Sequence, residues 1–200
     1  ISSEHDTLRI LRFSGSGSRT LPLNDLVICD SLIIDGPVVD NNTWDNKLKI
    51  FGVFARFQGV FDAGNTSNAI VEFSGNSQQQ IPTSFLQSNA FYNLTLDNSN
   101  GLLLTDSVDV DNNLNLNNGI IQTADTSVLY LTNTANDVVS GVNSNNYIDG
   151  PLDKEIIDNG DFDFPVGNNG KLGQVDLYNT NTTGAQRWQA QYYNQNPYDG

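Results

Sequence analysis

Carboxylates are the residues of widest chemical range in this chain. Asp158, Asp161 and Asp163 fall in the run DNGDFD, and closely spaced oxygen ligands are what Ca²⁺ takes up, so this loop is the candidate calcium site, and Ca²⁺ the one cofactor suggested. The Glu that completes a helix-loop-helix calcium site at its twelfth position is missing. Asp109 and Asp111 alternate with Val108 and Val110, so both project outward from one strand as an acidic patch. Glycosidases and polysaccharide lyases built on parallel coils use such carboxylates for acid-base chemistry or to hold Ca²⁺. No Lys or Arg lies within 40 residues of Asp111, and solvated carboxylates on an outer face are the plainer reading.

Nucleophilic catalysis has less to work with. The single histidine is His5, and the single cysteine, Cys29, stands in an apolar run where a small buried filler is expected rather than a Cys-His dyad. Clustered Cys and His for zinc are absent. Trp44, in the polar stretch DNNTWDN, offers a sugar-stacking surface, although a Trp folded over an edge is the simpler expectation. No residue is assigned a catalytic role, and the chain is read as non-enzymatic.

These side chains need a scaffold, and the stretch Phe91 to Leu131 shows its plan. Leu94 and Leu96, Leu102 and Leu104, and Val108 and Val110 form apolar pairs; Leu114 with Leu116 restarts the series, and Leu129 with Leu131 closes it. Leu94 to Leu114 is 20 residues and Val110 to Leu131 is 21, which predicts three short strands per turn of a parallel β-helix, a β-solenoid of about 20 residues per rung. LRFSGSGSRTLP at Leu11 to Pro22 matches VEFSGNSQQQIP at Val71 to Pro82 at an offset of 60, read as three rungs. In KLKIFGVFARFQGVFD, Leu48, Ile50, Phe54 and Phe57 are expected inward, with Gly52 and Gly59 at corners and stacked Phe rings filling the tube.

Residues 133–149 read as a long polar connection. Beyond them FDFPVG, GQVDLYN and RWQAQYYN alternate as antiparallel strands do. The expected organisation is a parallel β-solenoid over 1–149 and, over 150–200, a short antiparallel β-sandwich-like segment that caps the coil or starts a second domain.

The chain has 28 Asn in 200 residues, a residue suited to tight corners because it tolerates the left-handed backbone and bonds to its own backbone. A hydrophobic content of 38% suits an elongated coil with a thin core. Nine Lys and Arg against 23 Asp and Glu give a net charge of −14, with the cations scattered, which argues against a nucleic-acid partner. No run is long and apolar enough to insert in a membrane as a helix. Both ends read as cuts from something longer.

The ordered series VEFSGNSQQQI, FYNLTL and VDVDNNLNLNNGII, followed by NYIDGPLDKEI and FDFPVGNNGK, resembles the repetitive modules of large secreted and cell-surface proteins of the Bacteroidetes, over roughly residues 69–193. The resemblance implies an extracellular, adhesin-like module exported by the type IX secretion system, although no sorting domain is recognisable. It also implies O-glycosylation where Asp is followed by Ser or Thr and an apolar residue. Thr7, Ser31 and Ser107 fit that pattern and are expected at turns entering strands. The function expected is a structural or adhesive stalk. Its partners would be other domains of a longer parent chain, surface glycans or the secretion machinery. A carbohydrate-binding or polysaccharide-degrading domain on the same fold is the alternative, and a groove holding two carboxylates near an exposed Arg and an aromatic ring would favour it.

Overall fold

The computed structural model describes residues 5–124, 126–158, 160–178 and 183–195, with His5 described by its backbone alone. Period-two alternation builds the strands. In Val108–Asn118 the side chains of Val108, Val110, Leu114 and Leu116 are buried while Asp111 and Asn113 face water. No described residue is helical. The chain winds into a parallel β-solenoid of about 7 turns, with a small antiparallel sheet near the C-terminus.

Among the described residues, one face of the coil is a 12-stranded sheet. It runs from His5–Ser14 through Asp25–Asp40, Lys47–Ile50, Ile70–Phe73, Ala90–Asp97, Val108–Asn118 and Leu129–Leu131 to Leu152–Ile157, and ends on Ala185–Ala190. A second, 6-stranded sheet carries Gln79–Ile81, Leu102–Leu104, Ile121–Thr123, Ile148–Asp149, Val166–Asn168 and Lys171–Leu172. Leu26, Leu48, Val71, Leu94 and Leu114 stack in one inward column. Leu102, Ile121, Ile148 and Val166 form another. Each such side chain, removed wholly from water, contributes about 1.5–3 kcal/mol.

The expected stacking of Leu94 on Leu114 and of Val110 on Leu131 is present in the register. The mean rung, however, is about 22 residues rather than 20, because the polar corners lengthen several rungs, most of all the one that carries Leu114 round to Val139. The match at offset 60 is therefore not a whole number of rungs. Val71 stacks over Leu48 and Leu26 and, through them, Asp6, whereas Leu11 stacks with Leu32 and Phe54. The two similar segments lie at different angular positions of the coil.

Phenylalanine fills the middle rungs as expected. Phe54 stacks on Phe85 at 4.6 Å between centroids and meets Phe73 edge-on at 5.2 Å, and Phe61 closes the group. Phe57 does not join them. It is 67% exposed, because the register of Val53–Asp62 against its neighbour slips between Ile34 and Asp35 and turns that side chain outward. Gly52 and Gly59 do mark crowded corners. A Cβ on Gly52 would run into the carbonyl oxygen of Asp30 and one on Gly59 into that of Pro37, and Gly59 also has φ 81°.

Asparagine works at the corners as expected where its side chain accepts from the backbone two residues on, as Asn98, Asn133 and Asn143 do at 2.9–3.0 Å, and by a second route as well. Of the described asparagines, Asn89 and Asn169 take positive φ. The buried ones hold backbone of neighbouring turns. Asn98 donates to Ser77 O at 2.8 Å, Asn93 to Ala69 O at 2.9 Å, and Asn146 to Leu116 O at 3.0 Å while accepting from Gly119 N at 2.9 Å. These bonds satisfy carbonyls that a tight corner would otherwise bury unpaired.

Residues 133–149 are a rung, not a connection. Val139–Ser140 and Ile148–Asp149 pair parallel with the preceding turn, and Val138 and Tyr147 are buried. Parallel stacking also runs across the boundary expected at Gly150, since Leu152–Ile157 and Val166–Asn168 pair parallel with the turn before them. Antiparallel pairing then takes over: Ala185–Ala190 on Leu152–Ile157, Val175–Leu177 on Phe162–Phe164, and Lys171–Leu172 on Val166–Asn168.

Candidate functional site

The densest group of chemically capable side chains lies on the outer face of the larger sheet, at its C-terminal end. Asp109 pairs in register with Tyr130, Tyr130 with Asp153, and Asp153 with Gln189, so the four form one row across four strands. Glu155 stands opposite Arg187 in the last pair of strands. The Arg187 guanidinium lies 4.1 Å from the centre of the Tyr130 ring and forms an ion pair with Asp153. Gln189 donates to the other oxygen of Asp153 at 2.7 Å, and Tyr130 donates its hydroxyl to Glu155 at 2.9 Å.

Electrostatics follow from this packing. Burial, reinforced by the hydrogen bond to Glu155, pushes the Tyr130 phenol up to about 12. Asp109 is raised by burial and by Asp111 beside it, against an opposing pull from Arg187. Asp109 and Asp111 do project from one strand, as expected, and Asp111 accepts from the Thr132 hydroxyl at 2.7 Å. The cation that sequence proximity did not supply arrives from the last strand. Asp153 is 2% exposed and engaged through both oxygens.

Two of the three predicted calcium ligands share a cleft. Asp158, at φ 40°, accepts from Gly184 N at 2.7 Å. Asp161 and Asp163 line a cleft of about 340 Å³ with Gln174 and Tyr178. Asp163 faces Asp176 across the antiparallel pair, and burial followed by the charges of Asp176 and Asp161 raises its carboxyl. Among the described residues no group of three or more His, Cys, Asp or Glu is arranged to hold a metal ion.

Of the three hydroxyls expected to carry glycans, Thr7 is exposed but sits inside the strand His5–Ser14, and Ser31 lies inside Asp25–Asp40, so neither marks a turn. Ser107 does precede a strand, and its oxygen accepts from Val128 N at 3.1 Å. Cys29 is exposed rather than a buried filler, because Asp25–Asp40 bulges between Ile28 and Ser31 and lets the thiol out at a corner. The His5 side chain lies outside the described residues, so the dyad has no geometry to weigh. Trp44 is 49% exposed on its loop.

Two further clefts lie along another corner of the coil. One, of about 550 Å³, is lined by Cys29, Asp30, Phe51, Asn76, Gln78 and Gln80. The second, of about 450 Å³, is lined by Asn100, Asn118, Gln122 and Asn145. No family model, curated protein or solved structure matches this chain.

The remaining outer surface of the large sheet is knitted along the axis. Lys49, Glu72 and Thr95 stand in one row, and Asn115 and Ser140 continue it. Glu72 takes Lys47 and Lys49 at 2.6 Å each and the Ser74 hydroxyl at 2.8 Å. Asn115 donates to Thr95 at 3.3 Å and accepts from Ser140 at 2.8 Å.

Proposed function

We propose that this chain is a non-enzymatic structural and adhesive module, a stalk within a large secreted cell-surface protein of the Bacteroidetes adhesin-like kind. The observation that carries this reading is the ladder from Lys49 to Ser140, in which outward polar groups bond to the rung above or below. A surface committed to its own stacking suits a spacer. The adhesin-like, type IX-exported and O-glycosylated character rests on the ordered motifs from VEFSGNSQQQI to FDFPVGNNGK.

The polysaccharide-degrading alternative draws on the cluster of Asp109, Tyr130, Asp153, Glu155 and Arg187. Tyr130, Asp153, Glu155 and Arg187 bond or stack chiefly among themselves, and the cluster does not line any of the three clefts described above, which favours a structural role for it. A screen for reducing-end or unsaturated-sugar release from plant, algal and microbial polysaccharides tests the choice. The expected result is no release, with small-angle scattering giving an elongated particle. Sugar release that disappears in Asp109→Asn would overturn the stalk reading.

A further inference from the structure

We infer that the corner carrying Cys29, Gln78, Gln122 and Asn145 is a binding groove for a neutral, linear glycan lying along the coil axis. The two corner clefts lie end to end along the coil. Gln78 lines one, Gln122 lines the other, and the Gln78 amide donates to Gln122 Oε1 at 2.6 Å, joining them across an intervening rung. From the Cys29–Asp30 corner to the Ser144–Asn145 corner the groove crosses six turns of chain, roughly 25 Å at about 4.8 Å per rung. Each cleft has the volume of a small-ligand site.

The lining decides the ligand class. The protein carries a charge of −14, yet among the described residues the two clefts hold one charged side chain, Asp30, which Arg9 already pairs at 2.6 Å. Apart from Cys29, Phe51, Val53 and Ile120, the rest is carboxamide, hydroxyl and glycine backbone, with Asn76, Gln80, Asn100 and Asn118 alongside the bridging pair. A carboxamide presents a donor and an acceptor in one plane, the match for neighbouring sugar hydroxyls, and it gives an anionic or cationic polymer no counter-charge. Phe51, 41% exposed at one end, adds an apolar face for a pyranose ring. An extended peptide would bind most readily by adding a strand to a sheet edge, and this corner is not one.

The groove is independent of the stalk reading, since a spacer needs no such lining. Cys29, the sole cysteine, supplies a reporter. The experiment takes the full chain and titrates neutral hexasaccharides of glucan, mannan, xylan and N-acetylglucosamine, with a hexagalacturonate and a neutral extended peptide beside them, while following maleimide labelling of Cys29. The expected result is that a neutral hexasaccharide binds, slows labelling, and does so equally at low and high salt. Gln78→Ala and Gln122→Ala, both at solvent-accessible positions, should each weaken binding about tenfold with an unchanged circular dichroism spectrum. Asn113→Ala, on the outer face of the large sheet, should leave it unchanged. Binding of hexagalacturonate or peptide alone overturns the proposal. So does neutral-sugar binding indifferent to Cys29 and both glutamines, or no neutral-sugar binding at millimolar concentration.

Discussion

Arg187 lies across the ring of Tyr130, 4.1 Å from its centre, and from there reaches Asp153 one rung further on. A single side chain of the last strand thus fastens that strand to two rungs of the coil. The strand itself covers the edge that Leu152–Ile157 would otherwise leave open, the kind of edge that recruits other chains.

Arg187→Ala should therefore weaken the C-terminal closure. It leaves the buried Asp153 carboxylate with Gln189 alone, and the expected loss is about 1–3 kcal/mol, discounted because the guanidinium is partly exposed. Urea unfolding gives the loss, and light scattering should show association rising with concentration. An unchanged midpoint would assign the closure to the backbone pairing alone.

Lys154 occupies the inward column below Val110 and Leu131, and burial lowers its ammonium to about 8 from an ordinary 10.5. Its amine donates to the carbonyls of Asn133 and Glu155 and lies 5.3 Å from the centre of the Phe162 ring. Above pH 8 the unfolded chain keeps a proton that the folded chain has released, so folding gains stability as pH rises. Above pH 10 Tyr130 opposes this, since its folded phenol holds its proton up to about 12. Thermal unfolding between pH 8 and 10 should show a rise of about 1–3 kcal/mol that Lys154→Met abolishes. The same rise in the variant would sink this account.

Glu72 sets the acid limb. Burial alone would raise its carboxyl, but the hydrogen bonds from Lys47, Lys49 and Ser74 outweigh burial and hold it down to about 2 against an ordinary 4.5. Its contribution is complete above pH 4.5 and is lost as pH falls towards 2. Glu72→Gln should lower stability at pH 7 by about 2 kcal/mol, after allowance for the partly exposed lysines, and flatten the decline between pH 4.5 and 2. Equal acid slopes in both proteins would count against it.

Phe54, before the slip in Val53–Asp62, and Phe57, at it, should behave oppositely. Phe54→Ala opens a cavity beside Phe73 and Phe85 and should cost about 3–5 kcal/mol. Phe57→Ala removes an exposed ring and should stay within about 0.5 kcal/mol. Chemical denaturation of the pair checks the assignment, and a large loss at Phe57 would contradict it.

The columns of the coil were legible wherever aliphatic residues alternate strictly, as at Leu94, Leu114, Val110 and Leu131, because a strand's period of two leaves no other way to bury them. Rung length was not, since extra residues enter at polar corners such as 41–46, where no periodic signal constrains them. Similar words at Leu11 and Val71 misled for that reason: local likeness does not fix angular position. The rung at 133–149 was hidden because its apolar residues come mainly as adjacent pairs, Val138 with Val139 and Tyr147 with Ile148, among Asn, Ser and Thr, without the strict alternation of the other rungs. The Arg187 cluster was assembled from four strands. Its trace in the sequence is faint but present, since Tyr130 and Asp153 repeat the outward position of Asp109 one and two rungs later. The corner groove left a similar trace in amides recurring at the same bend.

Hydrogen bonds between rungs lie along the coil axis, and this fixes how the protein bears load. A pull on its two ends stretches the interfaces between turns in series, so the rupture force is that of the weakest interface and does not grow with added turns. Leu129–Leu131 pairs with the turn before it at three positions, where Val139–Ser140 adds two more, but with the turn after it at three alone, and that later interface is the slender link in the large sheet. Under tension the coil should part there first and pay out its chain turn by turn, as a shock absorber rather than a rigid rod.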